Sequence, residues 1–170
     1  HEAMPKDIEW HMIGHLQRNK VKYIAPFVSL IHGVDTFKLL KEINKEGKKN
    51  ERIISCLLQV HIAQEESKFG FSPKEIEEMC VSEEFQLLKH VRICGLMGMA
   101  TNTKDATQVK KEFDGLKAFS NELQSSYSEQ LPDCTEISMG MSGDYSLAIE
   151  AGSTMIRVGS TIFGARNYSV

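Results

Sequence analysis

A chain of 170 residues can form one domain with a sizeable hydrophobic core and is short for two. With 41% hydrophobic and 25% charged residues it does not read as disordered, and a net charge of −3 argues against a surface built to neutralise a nucleic-acid backbone. The apolar runs are too short to span a bilayer and no signal peptide stands at the front, so we expect a cytoplasmic protein with neither a membrane nor a nucleic-acid partner.

The elements alternate along the chain. A strand-like run at 10–16 carries His15 at its end, and a short helical stretch at 19–24 is closed by Pro26. A strand at 28–34 leads to a helix at 36–45, with Phe37, Leu40 and Ile43 on one face. The strand at 52–62 is followed by a loop, EESKFGF (65–71), containing Lys68. The next helix, 72–79, opens with Ser72, Pro73 and Glu75, a cap, a first-turn proline and a capping-box acid. After a strand at 91–99 comes a long helix at 105–125, with Val109, Phe113, Leu116, Phe119 and Leu123 at three- and four-residue spacing. A strand at 136–141, a helix at 145–151 ending at Gly152, and a strand at 154–161 complete the pattern.

Strands that are continuously apolar and separated by helices predict a parallel sheet covered by helices. Six strands are visible, whereas a closed (β/α)8 TIM barrel needs eight. If the last two are strands seven and eight, the first two βα units are absent from this chain, which agrees with a start at His1-Glu2-Ala3 and no initiating Met. The alternative is an open six-stranded sheet, but no GxGxxG or GxxxxGK[ST] loop supports a nucleotide-binding version.

The chemistry concentrates in the last third. ISMGMSGDYSLAIEAG (137–152) and TMIRVGSTIFGARNY (154–168) each read as apolar strand, small-residue turn and helical start. Glycines there let the backbone approach a ligand, Ser142 or Asp144 can cap the following helix, and free N–H groups suit an anion. Arg157 within an apolar strand needs an acceptor, and Gly159 and Ser160 can offer an amide and a hydroxyl. His15 is placed at the mouth of such a barrel; as a lone histidine it reads more readily as a packed residue than as a catalyst. Met97, Gly98 and Met99 would give a smooth wall for a planar ligand. The four cysteines, Cys56, Cys80, Cys94 and Cys134, form no CxxC pair and read as thiols in a reducing compartment. No HxxxH or HxH spacing points to a metal, and no nucleophile elbow or Ser-His-Asp order can be assembled.

Four segments together carry a resemblance: IEWHMIGHLQRNKVKYIAPFVSLIHGVD, LLQVHIAQEESKFGFSP, VRICGLMGMAT and SMGMSGDYSLAIEAGSTMIRVGSTIFGARNY. They resemble the pyridoxal phosphate homeostasis protein family over nearly all 170 residues, most weakly around 105–130. The resemblance implies a fold-type III pyridoxal 5'-phosphate (PLP) barrel, similar to the N-terminal domain of alanine racemase without that enzyme's second domain. The 170 residues would then be a single domain corresponding to strands three to eight. It implies Ser138, Met139, Gly159 and Ser160 around the phosphate with Ser142 nearby, Arg157 facing the pyridine nitrogen, His15 at the mouth, and Lys68 in the family's Ser-Lys-Phe-Gly-Phe loop. The family's Schiff-base lysine lies at the end of its first strand, and no lysine here occupies that position. The implied role is binding, storing or handing over PLP without established turnover, as a monomer or weak dimer, with PLP-dependent apo-enzymes as candidate recipients. The alternatives are a small PLP-dependent racemase-like enzyme and a cofactor-free interaction fragment.

Overall fold

The structure is a computed structural model that describes residues 1–65 and 69–164. Within them six strands run parallel and lie side by side in chain order: β1 (Trp10–Met12), β2 (Val28–Val34), β3 (Ile54–Val60), β4 (Val91–Gly98), β5 (Glu136–Met141) and β6 (Met155–Arg157). The helices between them are α1 (Val21–Ile24), α2 (Phe37–Lys49), α3 (Pro73–Cys80), α4 (Glu83–Gln86), α5 (Ala106–Ser126), α6 (Tyr145–Glu150) and, after β6, α7 (Ser160–Phe163). A strand order that never reverses has no switch point, unlike a doubly wound sheet, and puts every crossover on one side.

The two faces of the sheet confirm this. On the outer face Ile31, Leu58, Leu96, Ile137 and Met139 pack with Leu40, Ile43, Ile76, Phe113 and Leu116 from the helices. On the inner face Leu30, Leu57 and Met97 form a separate small cluster joined by Cys94, Met99 and Met155, and all of these come from strands or strand ends. The sheet also curls. In a flat sheet β2 and β5 would lie about 14 Å apart, three strand spacings. Instead His32 on β2 and Ser138 on β5 are hydrogen-bonded at 2.8 Å. The architecture is a half-barrel of six parallel strands with helices outside.

Local chemistry explains the elements. Thr36 caps α2 by accepting from Leu39 N–H, and Ser72 and Glu75 form the expected capping box on α3. Asp105 caps α5 through Thr107 and Gln108 N–H. Buried Glu112 then accepts from Thr101 N–H (2.7 Å) and Oγ1–H (2.6 Å), tying α5 to the chain just beyond β4. Gly95 adopts φ +157°, and a Cβ there would lie 1.9 Å from the Glu136 carbonyl oxygen. Gly140 adopts φ +95°, and its missing Cβ makes room for Ala148 on α6.

Three expectations change. β1 stops at Met12 rather than 16 and β6 at Arg157 rather than 161; each pairs with a neighbour on one side alone, and the chain beyond turns toward the rim. The single turns α4 and α7 are too short to show a helical period in sequence. Asp144 stands at the N-cap of α6 without bonding its amides; its Oδ1 accepts from Met141 N–H at 2.6 Å instead. Among the described residues no helix is long and apolar enough to cross a membrane. Cys56, Cys80 and Cys134 are buried free thiols whose pKa burial pushes up, to about 11 for Cys80 and about 12 for Cys134, so they stay protonated.

Candidate functional site

A chain of polar side chains crosses the inner face. His11 Nδ1 lies 3.1 Å from His32 Nε2, and His32 Nδ1 lies 2.8 Å from Ser138 Oγ. Arg157 Nη1 donates to the same Ser138 oxygen at 2.7 Å, and Nη2 donates to the Gly98 carbonyl at 3.0 Å. Four strands, β1, β2, β5 and β6, each contribute one side chain. Burial, then the neighbouring His11 and Arg157, push the His32 pKa down to about 4, so His32 is neutral at pH 7. One direction of bonding satisfies the Ser138 hydroxyl and the His32 ring together. Ser138 O–H donates to His32 Nδ1 while accepting from Arg157, and His32 Nε2–H donates to His11. Burial also lowers the Arg157 pKa to about 10, opposed by Asp144, which leaves the guanidinium charged at neutral pH.

One storey higher lies the rim. Ser142, four residues beyond Ser138, accepts from Gly159 N–H (3.1 Å) and Thr161 N–H (3.4 Å). The turns after β5 and β6 therefore meet, and Ser160 lies between the two donors. On the other wall, His15 Nδ1 is 3.0 Å from Asp35 Oδ2, and the His15 ring stacks on Phe69 with centroids 4.9 Å apart. Phe69 is held in turn by Gln59, whose Nε2 donates to its carbonyl at 2.7 Å.

The structure thus gathers Ser138, Ser142, Arg157, Gly159 and Ser160 along the last two strands, and puts His15 across the mouth from them. It does not bring the Met139 side chain to that group. Met139 follows Ser138 in the strand, faces the helices and is fully buried in the outer core, so its main chain is all it can offer a ligand. Lys68 lies outside the described residues. His32, Asp35 and Gln59 escaped the sequence reading, although His32 carried a usable signal: like Arg157, it is a polar residue inside an apolar strand. Among the described residues no group of histidines, cysteines and acids could hold a metal.

Two cavities flank the sheet. One of about 410 Å³, lined by residues 99–103 with Val109, Met141, Gly143 and Asp144, adjoins the Ser142 turn at the carboxyl ends of the strands. The larger, about 500 Å³, lies at the opposite ends, against Phe85, Arg92, Leu131 and Asp133, far from this chemistry. In parallel α/β proteins ligands sit at the carboxyl ends, the end where the smaller cavity lies, although Ser138, Ser142, Arg157, Gly159 and Ser160 do not line it.

A singly wound half-barrel with an arginine-bearing last strand and a glycine–serine turn defines a class, and the alanine racemase N-terminal domain profile matches residues 3–167. Relatives narrow it further. A pyridoxal phosphate homeostasis protein of Aquifex aeolicus is 40% identical over 163 residues, covering 95% of this chain and 69% of that protein. The chain belongs to the pyridoxal phosphate homeostasis protein family. Among solved structures, PipY of Synechococcus elongatus superposes with a TM-score of 0.85 at 34% identity without PLP. With PLP bound it superposes at 0.81 and 32%, with 93% of this chain and 71% of that one covered. An unknown protein of Bifidobacterium adolescentis gives 0.84 at 33% identity, with 92% of this chain and 61% of that one covered. The chain spans roughly two thirds of the length of these relatives.

Proposed function

We propose that this chain binds PLP at the carboxyl rim and serves its intracellular homeostasis by holding and releasing the cofactor. The observation that carries the reading is the convergence of Gly159 N–H, Thr161 N–H and Ser142 Oγ one storey above a charged, half-buried Arg157. The residues fit the group. Both amides donate to Ser142 Oγ in this structure, so a phosphate ester would replace Ser142 as their acceptor and take a donated bond from the freed hydroxyl. Arg157 uses two N–H groups on Ser138 and Gly98, and the guanidinium has others to aim at a ring nitrogen. PLP supplies an aldehyde that condenses with amines and a ring that withdraws electrons. Because Arg157 can only donate, it would hold the ring nitrogen unprotonated, which weakens that withdrawal and favours carriage over turnover. Neutral His32 fixes Ser138, and Ser138 fixes Arg157.

In this reading the 170 residues form one PLP-binding domain supplying strands three to eight of a closed (β/α)8 barrel. The curl of the sheet and the greater length of the relatives support it. A covalent link would need a lysine on the first barrel strand, a position that none of the lysines in these 170 residues occupies. Recipients would be apo forms of PLP enzymes, and the protein would act as a monomer or weak dimer in the cytoplasm.

The test is to add PLP to the full-length protein and follow a borohydride-sensitive absorbance band; its absence would overturn the reading. The alternative of a racemase-like enzyme rests on the His15–Asp35 pair at the mouth. Rapid α-proton exchange of L-alanine in deuterated water by the loaded protein would favour it.

A further inference from the structure

The wall opposite the phosphate turn is built for a different task. His15 leaves β1 three residues beyond Met12, and Asp35 follows β2 directly, so both stand at the same rim as Ser142 and Gly159. Counting along the strands gives the height. Asp35 is three residues above His32, and Ser142 is four above Ser138, each about 10–13 Å up the barrel at 3.3 Å per residue. His32 and Ser138 touch across the inner face. The two pairs above them are therefore opposing walls of one mouth.

The Asp35 side chain is 6% exposed and that of His15 is 51% exposed. A buried carboxylate against Nδ1 fixes the Nδ1–H tautomer and leaves Nε2 as a bare acceptor, with half the ring open to solvent. Phe69 stacks on that ring with 26° between planes, and the Gln59 bond to its carbonyl holds it there. Among the described residues Asp35 is the charged group bonded to His15, and the other contact, Phe69, carries no charge.

We propose that His15 is a proton-transfer residue for primary amines entering the mouth, oriented by Asp35. The Nε2 lone pair takes one N–H proton from a primary ammonium, R–NH3+. That leaves neutral R–NH2, whose lone pair is free to attack an aldehyde, and an imidazolium paired with Asp35. The Nδ1–H proton stays where it is. Amine entry is the step by which a bound aldehyde cofactor is exchanged or released, so the role deepens the proposed function and rests on it.

Two measurements test the proposal, and the first needs no cofactor. Nitrogen-15 NMR of the chain should show neutral His15 in the Nδ1–H tautomer, with the signature lost in D35N; an Nε2–H tautomer overturns the proposal. The second follows condensation of PLP with glycine by stopped-flow absorbance at saturating PLP, so that a change in retention cannot imitate one in proton transfer. We expect the chain to accelerate condensation, and H15Q and D35N to be at least tenfold slower. H15Q alters an exposed side chain, so misfolding does not confuse its result. Rates within twofold of wild type in both variants overturn the role. If the chain retains no PLP at all, the functional reading falls, and the tautomer still decides whether His15 is set up to accept a proton.

Discussion

The two faces of the same six strands do different work. Outward, alternate residues such as Ile31, Leu58, Leu96 and Ile137 meet the helices in one large apolar core. Inward, His11, His32, Ser138 and Arg157 form a bonded polar chain beside a three-residue apolar cluster, and Gln59 on the same face reaches the Phe69 carbonyl. Period-two alternation separates stability from chemistry within single strands. Substitutions on the outer face should therefore change melting and leave ligand affinity alone, while those on the inner face should change ligand affinity, with His32 adding a pH-dependent part to the stability.

The largest effect expected is at a backbone contact between strands. Gly95→Ala would set a Cβ 1.9 Å from the Glu136 carbonyl, so β4 and β5 must part. We expect loss of the folded state, seen as a missing cooperative transition in thermal melting; a normal melt would mean that the β4 and β5 backbones do not approach this closely at Gly95. Next comes Phe113→Ala in the outer core, where Phe113 is fully buried. It should cost about 3–5 kcal/mol in denaturant unfolding.

On the inner face, the effect of pH comes from His32. Its folded pKa of about 4 lies below the ordinary 6.5, so the unfolded chain binds the proton first as pH falls. Stability from this group is intact above about pH 6.5, declines between about 6.5 and 4, and is flat below. His32→Gln should flatten that window in pH-dependent melting, and an unchanged slope would show that His32 is not held neutral. The smallest expected effect is at Gly115 in α5, where a Cβ meets nothing within 4 Å. Gly115→Ala should stabilise by about 0.5–1 kcal/mol, with no change in ligand binding.

The outer face was legible in sequence because helix caps and apolar spacing are local. Ser72 with Glu75, and the Val109–Leu123 stripe, appear in the structure as expected. Of the inner face, the sequence showed the residues that break an apolar strand or mark a turn, Arg157, Ser142 and Gly159. It concealed their partners, because the bond from His32 to Ser138 joins positions 106 residues apart and exists only once the sheet curls. Asp35 was hidden for the same reason: nothing local says that a carboxylate after β2 will meet a histidine after β1. Met139 is the reverse case, a residue whose side chain faces the helices and whose main chain alone lies beside Ser138. A motif drew it into the site beside Ser138, although two successive strand residues point to opposite faces.

The most direct test of the central claim is equilibrium dialysis of the chain against PLP and against pyridoxal, which lacks the phosphate. We predict measurable retention of PLP, competition by inorganic phosphate, little retention of pyridoxal, and at least tenfold weaker PLP binding in Arg157→Ala. Equal retention of both compounds, or an Arg157→Ala variant that binds PLP as wild type does, would contradict a phosphate-anchored cofactor at this rim.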